Sequence, residues 1–139
     1  MVRVVRGFSL IELMIVVAIT AIIIGIAYPS YLNSVRKSNR AEAKAELVDL
    51  AQRLQRCFTT YGRFEDPQDR CTVYEDLTDG TNVISRGQGF YEITIDGVTA
   101  VTYRLVATAI KEPQTSDDGE RCNVLTLDQR GEKQPEVCW

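Results

Sequence analysis

From Phe8 to Tyr28 the chain runs through 21 residues whose only charge is Glu12, and from Leu13 to Tyr28 there are 16 residues with none. As a helix rising about 1.5 Å per residue, such a stretch covers roughly 30 Å, the hydrocarbon thickness of a bilayer. Beyond it the apolar positions thin to a stripe. Ala43, Leu47, Leu50, Leu54 and Phe58 recur every three or four residues, while Arg36, Lys37, Arg40, Glu42, Lys44, Glu46, Asp49 and Arg53 mostly take the other faces. Strong helix formers fill AEAKAELVDLAQRLQR. The two patterns join into one long helix predicted over 8–58, spoiled only by Gly25 and Pro29. Proline removes a backbone donor and clashes one turn back, so a kink is expected between Ala21 and Pro29.

After Tyr61 the period drops to two. Tyr91, Ile93 and Ile95 alternate with Glu92, Thr94 and Asp96, Asp96-Gly97 signals a turn, and Val101, Tyr103, Leu105, Ala107 and Ala109 alternate again. This predicts a hairpin. Residues 111–121 read as loop, Val124–Leu127 as a further strand, and Arg130-Gly131 as a turn before the C-terminal Cys-Trp. The predicted fold is α+β, a long N-terminal helix packed on a small antiparallel sheet of three to four strands.

The 139 residues suit one modest domain, and the overall 45% apolar content hides the concentration of those residues near the N-terminus. The net charge of −3 is also uneven: from Tyr61 onward there are 8 Lys/Arg against 15 Asp/Glu. A head that acidic repels a phosphate backbone unless its arginines gather on one face. Candidates for such a stripe are Arg63, Arg70, Arg86, Arg104 and Arg121. Within 122–138 the basic residues are Arg130 and Lys133, opposed by Asp128, Glu132 and Glu136.

The chain has no histidine, which removes the commonest general base and metal ligand and excludes Ser-His-Asp and Cys-His chemistry. No catalytic residue, metal site or cofactor is expected. The acidic loop at Asp117-Asp118 lacks the spaced ligands of a calcium site. Cysteines stand at 57, 71, 122 and 138, with gaps of 13, 50 and 15 residues, too wide for zinc pairs. Two disulfides in an oxidising compartment fit better. Of the three possible pairings, Cys57–Cys71 and Cys122–Cys138 close the shortest loops and are favoured, each contributing about 3 kcal/mol; the crossed pairings stay open.

Three readings compete for the opening MVRVVRG-FSLIELMIVVAITAIIIGIAYPSY. Arg3 and Arg6 with Gly25-Ile26-Ala27 fit a cleaved secretory signal; the apolar run also fits a plain anchor; or the chain is cut before the run. Glu12 separates them. A carboxylate at the bilayer centre costs ~2.5–3.5 kcal/mol, and neither of the first two readings gains from it. Cleavage between Gly7 and Phe8 frees an α-amino group that can neutralise Glu12 of a neighbouring copy and set the register between them. The alternative is a Glu12 resting at headgroup level. Arg36, Lys37, Arg40 and Lys44 lie on the exported side against the positive-inside rule, but disulfides require export.

GFSLIELMIVVAIT resembles the leader of type IV prepilins and pseudopilins, a short basic peptide ending in Gly, then Phe, then an apolar helix with Glu at its fifth position. The resemblance implies cleavage after Gly7 by a membrane prepilin peptidase, N-methylation of Phe8 and an assembly role for Glu12. AYPSY, RAEAKAEL, NVLTLDQRGEK and the terminal CW are similar to PilE-type minor pilins, some of whose ComP-like relatives take up DNA. The implied organisation is a leader at 1–7, a helix at 8–58 with 8–28 in the membrane, and a disulfide-stapled head at 59–139. The implied partners are other pilin subunits, the peptidase/methylase and the inner membrane, with the head periplasmic before assembly and extracellular in the pilus. Filaments of this family are associated with adhesion and twitching motility and lose helix near the Gly25–Pro29 region on assembly. Two alternatives remain: a DNA-receptor minor pilin for transformation, and a pseudopilin of type II secretion.

Overall fold

A computed structural model describes residues 8–65, 68, 70–78, 83–116 and 121–139. The chain divides into two compact units, Met1–Val35 and Arg36–Trp139. Helix α1, Leu10–Tyr61, contributes to both. Its helical assignment continues through Gly25 and Pro29. Because proline lacks an N–H, the carbonyl of Gly25, four residues back, is the acceptor left without its usual donor. The helix ends one turn past the expected position, where the Gly62 N–H closes the last turn on the Phe58 carbonyl at 2.8 Å.

In the first unit every described residue from Phe8 to Tyr31 is exposed within the chain itself. In the second, α1 turns Ala43, Leu47, Leu50 and Leu54 inward, as their spacing predicts. These meet an antiparallel meander of five strands in sequence order: β1 Val83–Ile84, β2 Tyr91–Asp96, β3 Arg104–Ala109, β4 Val124–Asp128 and β5 Lys133–Gln134. The register lines up two apolar rows, Ile93–Ala107–Leu125 and Ile95–Leu105–Leu127. Period-two alternation sends these to the helix-facing side, and all but the half-buried Ile95 are buried. Each fully buried Leu or Ile contributes on the order of 1.5–3 kcal/mol.

The three long strands are those the sequence predicts, except that β3 begins at Arg104 rather than Val101. The connection widens to 97–103 because Thr99 organises it: its hydroxyl accepts the N–H groups of Val101 and Thr102 at 3.3 and 3.0 Å. Val101 is thereby left exposed at the tip. A short helix α2, Thr72–Thr78, buries Val73, and a single 3-10 turn spans Glu136–Cys138. Phe58, Phe64 and Tyr103 close the end of the core nearest the α1 C-terminus, with ring centroids 4.6 and 4.8 Å apart. Disulfides join Cys57 to Cys71 and Cys122 to Cys138, with Cα separations of 5.8 and 5.7 Å.

Candidate functional site

The first unit offers one chemically distinct group. Among the described residues α1 is the one helix long and apolar enough to cross a membrane. Leu, Ile, Val and Met side chains cover its surface on all sides, and Phe8 is 80% exposed. Thr20 hides its polarity by donating its hydroxyl to the Val16 carbonyl at 2.7 Å. Glu12, in the first turn of α1, has no such recourse: no described residue pairs with its carboxylate. Phe8 precedes it by one turn's worth of chain. Gly7, with the rest of 1–7, lies outside the described residues, as do Asp117 and Asp118.

The head carries its charge in separate places rather than on one stripe of the five arginines singled out above. Arg86 reaches from the β1–β2 loop to Glu46 at 3.3 Å and Asp49 at 3.7 Å on α1. Its neighbour Gly87, at φ 98°, sits so close that an added Cβ would lie 2.9 Å from the Glu42 carboxylate. Arg70 stacks on Tyr61 at 4.6 Å. Arg104 lines a groove on the sheet with Thr126, Asp128, Arg130, Glu132 and Gln134. There the positive charge is largely spent. Arg130 pairs with Asp128 and Glu132 at 3.4 and 3.5 Å, and Asp128 also accepts the N–H groups of Arg130 and Glu132 at 2.9 and 2.8 Å. Burial works against the Asp128 carboxylate, but those donors and the guanidinium outweigh it and hold its pKa below the usual range.

The fifth arginine, Arg121, belongs to a second groove system around the Cys122–Cys138 bond, where it lines a cleft with Arg40, Cys122 and Val137. Arg40 donates to Cys122 Sγ at 3.0 Å. One turn along α1, Lys44 forms an adjoining groove with Ala45, Val48, Gln52, Lys133 and Trp139. The Lys44 and Lys133 ammonium groups lie 5.9 and 5.0 Å from the Trp139 ring centroid, within cation–π range. The indole N–H donates to the Gln134 carbonyl at 3.2 Å and fixes the ring. Burial, then the charges of Arg40 and Lys133, lower the Lys44 pKa. Sequence reasoning missed this grouping because residues 40–44, 121, 133 and 139 meet only through the tertiary fold.

Among the described residues no group of acidic or sulfur side chains is placed to hold a metal. The two disulfides consume all four cysteines. The geometry therefore offers binding and assembly surfaces.

Known proteins share these features. Residues 2–28 match the prokaryotic N-terminal methylation motif. A stretch of 61 residues is 43% identical to the type IV major pilin protein PilA of Myxococcus xanthus (strain DK1622), covering 44% of this chain. The chain spans 28% of that relative's length. Residues 29–126 match the family model described as type IV minor pilin ComP, DNA uptake sequence receptor. An apolar N-terminal helix under a methylation motif, a disulfide-bonded α+β head and a family match over most of the chain converge: this protein belongs to the ComP family of type IV minor pilins, structural subunits of the type IV pilus.

Proposed function

We propose that the chain is cut between Gly7 and Phe8 by a prepilin peptidase, methylated at Phe8, and held in the inner membrane through Phe8–Tyr28. Its head lies on the periplasmic side until the subunit enters the extracellular filament. Entry depends on Glu12 meeting the Phe8 amino group of a neighbouring copy. One observation carries this reading: a single carboxylate without an intrachain partner on an otherwise apolar, fully exposed helix surface. In hydrocarbon that carboxylate costs ~2.5–3.5 kcal/mol, which a freed amine offsets. The Gly25–Pro29 step, already short of one backbone bond, is the part of α1 that yields when helices pack together. Glu12→Val should insert normally and disappear from sheared filaments. Wild-type amounts of this variant in filaments would remove the pairing.

A second role rests on the printed description of the matching family and on the cation cluster around Trp139. In it the head receives DNA while the subunit sits in the pilus. A salt-dependent gel shift tests it, since electrostatic binding is strongest at low salt. No shift at low salt would eliminate it.

A further inference from the structure

Two grooves on the head display cations, and only one has charge to spare. On the sheet, Arg130 is bonded to Asp128 and Glu132, and Asp96 lines the adjoining cavity beside Arg104. A polyanion arriving there meets as many carboxylates as guanidinium groups. At the other groove Arg40, Lys44, Arg121 and Lys133 surround Trp139 and the Cys122–Cys138 bond. The acids facing them are fewer. Asp49 already pairs with Arg53 at 2.7 Å and lies 3.7 Å from Arg86, leaving Glu136 and the Trp139 α-carboxylate. Lys44 and Lys133 are held beside one ring, so each raises the cost of the other's charge, a repulsion that a phosphate relieves.

Trp139 adds a second kind of contact. Its indole is half-buried and tethered through Nε1. Val137, 75% exposed, continues the apolar surface beside it. Cations flanking an aromatic ring can grip a nucleic acid by its phosphates and by the face of a base or sugar. A purely acidic peptide would use the cations but leave the ring idle.

Resting on the DNA-receptor reading above, we infer that the nucleic acid is held at the Lys44–Trp139–Lys133 groove and the adjacent Arg40–Arg121 cleft, not at the Arg104–Arg130 groove on the sheet. The phosphodiester backbone takes the four cations, and the indole lies against a base or deoxyribose. Duplex and single-stranded DNA share this chemistry.

Trp139 is the chain's single tryptophan, so its fluorescence reads this groove alone. The full chain in detergent is titrated with a duplex and with a single strand at several salt concentrations. The two arms identify which form supplies the phosphates. DNA should quench Trp139, and Lys44→Gln/Lys133→Gln should flatten the log–log salt dependence by about two phosphate contacts, roughly 0.9 units each on duplex. Trp139→Leu should weaken binding about tenfold. Arg104→Gln/Arg130→Gln should bind like wild type. If DNA binds but leaves Trp139 emission unchanged, or if the Arg104/Arg130 variant alone loses affinity, the groove is wrong while the DNA-receptor reading stands. If wild type binds neither form at low salt, that reading fails and the groove assignment with it.

Discussion

Removing the Cys122–Cys138 bond probes how the head keeps its C-terminal edge. The bond spans 16 positions, so releasing it returns about 3 kcal/mol of loop-closure entropy to the unfolded chain at 25 °C. The Cys57–Cys71 bond, spanning 14, is worth about the same. A small domain is stable by about 5–15 kcal/mol in total, so the head should survive losing one bond and be marginal without both. The damage should also be local. β5 holds β4 by two register pairs, Gln134 with Thr126 and Lys133 with Leu127, and the turn carrying Cys138 and Trp139 follows directly. Without the disulfide, those pairs and the Trp139–Gln134 bond are nearly all that retain this edge. A fragment beginning at Arg36, carrying Cys122→Ala/Cys138→Ala, would be unfolded in urea and followed by circular dichroism and Trp139 fluorescence. At an m-value of ~1–3 kcal/mol per molar urea, the dichroism midpoint should fall by about 1–3 M. The fluorescence transition should come first, because the edge frays before the core. A loss below about 1 kcal/mol with coincident transitions would refute this account.

Other outcomes follow from single contacts. Leu54→Ala empties a fully buried position beneath the sheet and should cost about 2–5 kcal/mol, measured by thermal melting. Gly87→Ala combines a φ of 98° with a Cβ pressed on the Glu42 carboxylate, whereas Gly97→Ala, at φ 57°, meets open space. The first should therefore lose clearly more than the about 1–2 kcal/mol of left-handed backbone strain, and equal losses would show that Glu42 simply swings aside. Asp128→Asn tests linkage. The wild-type carboxylate titrates lower in the folded head than in the unfolded chain, so its contribution is present at neutral pH and disappears as pH falls through the folded value. The stability gap between wild type and variant should close on acidification, which melts across a pH series would reveal. Gly7→Ser should block leader removal, visible by mass spectrometry as a species heavier by the leader.

The long elements were legible because each repeats its period many times. The Ala43–Leu54 stripe has several turns in which to declare itself, and β2, β3 and β4 alternate cleanly enough that their register rows can be anticipated. α2 escaped notice because two turns of TVYEDLT carry no measurable period. β1 and β5 are two residues each and owe their extended form to the strands beside them. The terminal Cys-Trp was visible as a motif, but the lysines at its ring come from positions 44 and 133, a meeting that depends on how the sheet lies against α1. Glu12 needed no fold to stand out, since one acid among twenty apolar neighbours is conspicuous in the sequence itself.

The two-residue borders of the sheet have a bearing on crowding. Subunits in a filament are packed at very high local concentration, conditions under which long bare strand edges zip onto one another. Here each border offers a ladder only two residues long, too brief to template an intruder. Polymerisation is thereby denied to the sheet and reserved for the helix, so the same chain can be crowded into an ordered fibre without sliding toward amyloid.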